Sequence, residues 1–116
     1  MYIFGYRFTA RYTVIIKANN MEEANEIAED KYINADFGEA EDIDGKRVKT
    51  IDNNDGTYKA VFRFTARYII EIEEENLEKA KRLAEIYYTD ADFGEAEDID
   101  GELKFIEDKK GRRISF

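Results

Sequence analysis

An α+β fold is predicted for this chain, built from two copies of one strand-helix-strand unit. The prediction depends on segments in which apolar residues alternate, on segments with apolar residues at helical spacing, and on two stretches that each occur twice. The longer stretch reads Ala-Asp-Phe-Gly-Glu-Ala-Glu-Asp-Ile-Asp-Gly, at 35–45 and 91–101. The shorter reads Arg-Phe-Thr-Ala-Arg-Tyr, at 7–12 and 63–68. Both recur 56 positions later, which indicates a tandem duplication without insertion or deletion.

Length and composition limit the domain organisation. The chain has 116 residues, and half of it is too small to bury a core alone, so the two repeats (about 1–56 and 57–116) are predicted to form a single domain. The 43% hydrophobic and 39% charged content is typical of an ordered, soluble protein. No apolar run is long enough to span a bilayer and the start lacks a signal-peptide pattern, so the expected compartment is the cytoplasm.

The first repeat begins with an alternating segment from Tyr6 to Lys17, which predicts a long strand with one buried face. The residues on that face are Tyr6, Phe8, Ala10, Tyr12, Val14 and Ile16. Asn20 is placed to cap a helix from about Met21 to Ile33, with Glu23 at the capping-box position.

The repeated acidic stretch follows this helix. Gly38 and Gly45 are expected to adopt positive φ, with Asp44-Gly45 as a turn. A short strand is predicted from Arg47 to Asp52, and Asn53-Asn54-Asp55-Gly56 then predicts the turn of a hairpin.

The second repeat has the same order of elements. Its alternating strand has a buried face of Phe62, Phe64, Ala66, Tyr68, Ile70 and Ile72. Asn76 caps a helix with an apolar stripe of Leu77, Ala80, Leu83, Ala84, Tyr87 and Tyr88. After the second acidic stretch, a strand from Glu102 to Glu107, a turn at 109–111 and a last short strand from Arg112 to Phe116 are predicted.

Two such units joined by a hairpin predict the ferredoxin-like arrangement, an antiparallel sheet with both helices on one face. The first and third strands then lie side by side at the centre, and the helices cover Phe8, Tyr12, Phe64 and Tyr68. An alternative is a dimer in which two separate units exchange strands.

The residues that the chain lacks exclude most enzyme mechanisms. Cysteine and histidine are both absent, so thiolate nucleophiles, imidazole bases, disulfides and the usual zinc, copper or haem ligands are excluded. The Asp-Phe-Gly triplets at 36–38 and 92–94 do not indicate a kinase, because the other kinase motifs are missing. No enzyme activity, cofactor or metal is expected.

The repeated acidic stretches are the first candidate binding surface. The formal net charge of −9 disfavours nucleic acid and anionic membranes and favours a basic partner protein. The candidate residues are Glu39, Glu41, Asp42, Asp44, Glu95, Glu97, Asp98 and Asp100. Their spacing does not match an EF-hand, because Ala40 and Ala96 fall at the first ligand position. The same stretches also fit a purely structural role as turns.

The second candidate is an anion site on the open sheet face, formed by Arg7, Arg11, Arg63 and Arg67. The alternative is that acids of the chain neutralise these arginines. An RNA-recognition domain uses the same sheet face but presents aromatic residues there, whereas here the aromatic residues fall on the buried face.

Each repeat resembles the small DpnD/PcfM-like proteins of phages, plasmids and other mobile elements. The resemblance lies in Met-Glu-Glu-Ala-Asn-Glu-Ile-Ala-Glu-Asp-Lys-Tyr at 21–32 with Ala-Asp-Phe soon after, and in 77–88 followed by Asp-Ala-Asp-Phe. It implies a mobile-element origin and an accessory role, and it brings no catalytic residues. Those relatives typically have one unit where this chain has two.

The sequence therefore predicts a small, acidic, non-enzymatic binding protein, such as an anti-restriction or anti-CRISPR inhibitor, that engages a basic protein surface. The alternative is an anion or nucleic-acid binder that uses the arginine face. A monomer and a homodimer are both compatible with the sequence.

Overall fold

A computed structural model describes all residues of the chain, 1–116, and contains four strands and two helices. In chain order these are β1 (Tyr2–Lys17), α1 (Met21–Ile33), β2 (Glu41–Asp52), β3 (Thr57–Ile72), α2 (Leu77–Asp90) and β4 (Glu97–Asp108). The α+β class is confirmed. The alternating apolar residues explain β1 and β3, since Tyr6, Phe8, Phe64 and Tyr68 all lie in the core.

The four strands form one antiparallel, open sheet in the order β2-β3-β1-β4, which is compatible with the ferredoxin-like arrangement. The central strands β1 and β3 pair along their whole length, from Tyr2 opposite Ile72 to Lys17 opposite Thr57. Thr9 faces Thr65, and these two residues hold the same position in the repeated stretches. A local two-fold axis therefore passes between them.

The two helices cover the same sheet face but lie far apart on it. No Cα atom of one lies within 8 Å of a Cα atom of the other, and the molecule is elongated, at 58 × 21 × 20 Å. Near the end of α1, Tyr32 stacks on Phe62 with ring centroids 4.5 Å apart. Near the end of α2, Tyr88 stacks on Tyr6 at 4.2 Å. Each helix therefore packs over a different part of the sheet.

Loop residues help the helices to cover the middle of the core. Phe37 packs on Phe64 and Phe93 packs on Phe8, with ring centroids 4.6 Å apart in both pairs. Phe8 and Phe64 are buried, as predicted, but the loop rings share in covering them. Tyr32 of α1 also reaches Phe64, with ring centroids 6.4 Å apart.

The edge strands begin earlier than the sequence predicts, at Glu41 and Glu97 within the acidic stretches. Gly45 is therefore in β2 and does not adopt positive φ, so the predicted Asp44-Gly45 turn is wrong. The glycine is needed because a Cβ there would lie 2.3 Å from the Cβ of Phe64. The predicted positive φ at Gly38 is confirmed.

The asparagine caps and the hairpin turn are as predicted, whereas the Glu23 carboxylate accepts from the Asn19 side chain at 3.3 Å and does not complete a capping box. The Asn20 side chain accepts a hydrogen bond from the Glu23 N–H at 2.9 Å, and Asn76 accepts one from the Lys79 N–H at 3.0 Å. In the hairpin turn, Gly56 has a φ of 86°.

Two predictions at the second repeat are corrected. The predicted last strand is reduced to a single bridge between Glu107 and Arg113, because β4 ends and the chain turns at 109–111. Two residues of the apolar stripe on α2, Leu83 and Tyr87, are 37% and 51% exposed, because the helix has only the sheet to pack against.

The buried tyrosines predict a loss of stability at alkaline pH. Burial, and after it the nearby Glu85 carboxylate, together raise the pKa of Tyr6 to about 12. Burial also raises the pKa of Tyr12, Tyr32, Tyr68 and Tyr88. Because the unfolded chain loses these protons near pH 10 while the folded chain keeps them, the free energy of unfolding decreases as the pH rises through that range.

The melting temperature, measured from about pH 8 to about pH 11, is therefore expected to fall steeply above about pH 10. A Tyr6→Phe variant retains the stacked ring without the hydroxyl and should show a shallower fall. Equal pH dependence in the variant and the wild type would contradict this expectation.

Candidate functional site

The repeated acidic stretches begin with two loops, 35–40 and 91–96, which contact each other across the two-fold axis. We call them the junction loops. The Glu39 N–H donates to the Asp92 carbonyl oxygen at 2.8 Å, and the Glu39 carboxylate accepts from the Asp92 N–H at 2.9 Å. Glu95 makes the same two contacts with Asp36, at 2.8 and 2.9 Å. The two loops are thus joined by reciprocal hydrogen bonds.

Glycine and aspartate make this close approach possible. Gly38 and Gly94 have φ values of 58° and 59°, and a Cβ on either would lie 2.1 Å from a carbonyl oxygen of the opposite loop. Within each loop, the aspartate carboxylate accepts a hydrogen bond from the glycine N–H at 2.8 Å. In each Asp-Phe-Gly triplet, the aspartate therefore stabilises the turn, the phenylalanine packs into the core and the glycine allows the opposite loop to approach.

A β-bulge follows each junction loop and turns one carboxylate toward the arginines of the central strands. Asp42 and Asp98 have positive φ, at 50° and 51°, where the register of the edge strand shifts. Asp42 forms an ion pair with Arg67 at 2.5 Å, and Asp98 forms one with Arg11 at 2.8 Å. Since both aspartates are about two-thirds exposed, at 64% and 65%, each pair stabilises the fold only weakly.

Four of the eight predicted acidic residues thus have partners inside the molecule. The other four are exposed and form neither an ion pair nor a side-chain hydrogen bond: Glu41, Asp44, Glu97 and Asp100. They lie on both edge strands, with Asp44 opposite Thr65 and Asp100 opposite Thr9. All eight acids are exposed, so what divides them is whether the side chain has a partner within the molecule.

The four predicted arginines meet on the open sheet face, as the strand pattern predicts. Arg7 lies opposite Arg67 and Arg11 lies opposite Arg63 on the central strands. Arg11 and Arg67 are neutralised by the aspartates of the bulges. Arg7 and Arg63 are exposed and form no ion pair, so acids of the chain neutralise two of the four arginines and leave two unpaired.

Two depressions flank the two-fold axis on this face. The first, of about 410 Å³, is lined by Arg7, Thr9, Thr65, Asp100, Glu102 and Lys104. The second, of about 440 Å³, is lined by Thr9, Asp44, Lys46, Arg63 and Thr65. Both mix basic and acidic side chains.

Sequence reasoning missed several residues that shape these surfaces. It assigned no role to Asp36 and Asp92, although their exact repetition beside Phe and Gly was a signal. It also missed Lys46 and Lys104, which line the depressions but occupy different positions in the two repeats, so the repeat pattern could not identify them.

No three acidic side chains lie close enough together to hold a metal ion. Neither helix has the length and apolar character needed to cross a membrane.

No family model matches the chain, and neither the curated proteins nor the solved structures contain a match.

Proposed function

We propose that this protein is a non-enzymatic binding protein that engages a basic surface of a partner protein. The observation that carries this proposal is the presence of four exposed carboxylates without internal partners, on edge strands of a protein with a net charge of −9. Such a field attracts a basic surface and increases the rate of encounter with it. The open depressions, lined by side chains of both charges, are consistent with a surface-to-surface contact rather than a reaction centre.

We further propose that the fold is a ferredoxin-like one that arose by tandem duplication, and that its role is that of a mobile-element accessory. The resemblance of each repeat to DpnD/PcfM-like proteins supports this origin. The specific accessory role that we propose is inhibition of a nucleic-acid-binding enzyme, because an acidic edge can compete with phosphate for a basic site.

The test is affinity capture of a host protein, followed by binding measurements on a charge-reversed variant. Replacing Glu41, Asp44, Glu97 and Asp100 with lysine is expected to weaken binding roughly tenfold or more and to reduce its salt dependence. The junction loops and the Asp42 and Asp98 ion pairs stay intact, so the fold should be retained, which circular dichroism can confirm.

The matched control reverses four exposed acids elsewhere, at Glu26, Glu73, Glu75 and Asp90, and so changes the net charge equally. If both variants bind the partner as the wild type does, the acidic edges are not the binding surface. If both lose binding equally, only the overall charge matters.

Anion binding on the open sheet face is the second candidate function, and the free arginines Arg7 and Arg63 favour it. We expect no measurable affinity for single- or double-stranded DNA or RNA near physiological salt, because Asp44, Asp100 and Glu102 lie beside these arginines. Titration of labelled oligonucleotides checks this. Micromolar binding that is lost in the Arg7→Glu, Arg63→Glu variant but kept in Arg11→Glu, Arg67→Glu would move the function to this face.

A further inference from the structure

The two outer edges of the sheet differ in how they are covered. Along β4, the C-terminal segment returns and closes part of the edge, since the Ile114 N–H donates to the Ile106 carbonyl oxygen at 2.8 Å and Arg113 bridges to Glu107. Along β2 no segment of the chain covers the outer edge. An uncovered edge strand offers unpaired backbone groups to another strand.

The edge of β2 carries charges in a self-complementary order. Glu41, Asp42 and Asp44 precede Gly45, and Lys46, Arg47 and Lys49 follow it. When two copies of this segment run antiparallel about Gly45, each acidic half faces a basic half. Opposite charges directly across a strand pair stabilise it, and like charges destabilise it.

We infer that β2 pairs with β2 of a second copy of this chain, forming a two-fold symmetric dimer centred on Gly45. In this register Lys46 faces Asp44 of the second copy, and Lys49 faces Glu41 of the second copy. The pairing of β2 with β3 places these four residues on the open sheet face. Lys46 lies opposite Arg63 and Asp44 opposite Thr65. Lys49 lies opposite Val61 and Glu41 opposite Arg67. The cross-strand charges therefore lie on the same side, where they can meet.

The two β-bulges of β2 limit the size of this contact. The regular segment Asp44–Arg47 lies between the register shift at 41–44 and the one at 47–49. The exposed apolar side chains Ile43 and Val48 flank this regular segment. A short paired segment predicts a small interface, and small interfaces are typical of weak, transient association.

The edge of β4 does not have the same self-complementarity. The equivalent pairing about Gly101 would place Glu102 against Asp100 of another copy, where like charges repel. Because only one edge pairs with itself, the assembly closes at two copies instead of growing into a filament.

Sedimentation velocity at increasing protein concentration tests this proposal. The wild type is expected to shift from monomer to dimer in low salt, and the shift should weaken in high salt as the charges are screened. The Lys46→Glu variant should remain monomeric. Lys104→Glu makes the same charge change on the other edge and should dimerise as the wild type does. The matched pair thus separates edge pairing from net charge.

A charge exchange makes the test specific for the register. Asp44→Lys and Lys46→Asp should each abolish self-association alone, while a mixture of these two variants should form a heterodimer. The double variant, in which both residues are exchanged, should again self-associate. A wild type that stays monomeric at millimolar concentration in low salt would overturn the proposal, as would single variants that fail to associate when mixed.

Discussion

Replacing Gly94 with alanine should lower the free energy of unfolding by about 3 kcal/mol or more, through two separate physical effects. The φ of 59° is unfavourable for alanine and costs about 1–2 kcal/mol. The new Cβ would also lie 2.1 Å from the carbonyl oxygen of Asp36, so the junction loops must separate. Separation weakens the reciprocal hydrogen bonds, each of which contributes about 1 kcal/mol.

Gly56 provides the matched control for this prediction. It also has positive φ, at 86°, but a Cβ there would meet no atom within 4 Å. Gly56→Ala should therefore cost only the conformational part, about 1–2 kcal/mol. Urea unfolding gives the loss in free energy of unfolding for each variant, and the difference between the two losses is the contribution of the loop–loop contact. Equal destabilisation would show that the junction loops do not meet as described.

Replacing Phe64 with alanine should have an effect of similar or larger size, about 3–5 kcal/mol. Phe64 is 3% exposed and packs against Phe37 of the first junction loop at 4.6 Å. Removing its ring leaves a cavity between the sheet and the loop. A loss of this size is a large part of the stability of a small domain.

Phe8→Ala should give a similar loss, since Phe8 occupies the equivalent position beneath Phe93. Phe116→Ala is the control, because that ring is 64% exposed and its loss should be close to neutral. Thermal or urea unfolding measures all three. A near-neutral Phe64→Ala variant would mean that the aromatic face of the sheet is the exposed one.

The fold and the site differ in how much of each could be predicted from sequence. The bounds of α1, the Asn20 and Asn76 caps and the 53–56 turn were all predicted, because each depends on residues that are close in the chain. The buried side of β1 and β3 was also predicted, since alternation determines which residues share a face.

The candidate site could be predicted only in part, because its residues meet over long distances in the chain. The strand pattern placed four arginines on one face, but it could not show that Asp98 neutralises Arg11 while Arg63 remains free. That outcome depends on the β-bulges, which shift the edge strands and turn one aspartate of each repeat inwards.

The sequence by itself therefore determined the order of the helices and the four main strands, the asparagine caps, the 53–56 turn and the buried face of each central strand, because periodicity and turn chemistry act locally. Only the tertiary structure decided the separation of the helices and the role of the acidic stretches. Glu39 hydrogen-bonds to Asp92, 53 positions away, and this contact exists only once the sheet has brought the two loops together. The physical reason is that strand register, and not local composition, selects which charged residues become neighbours.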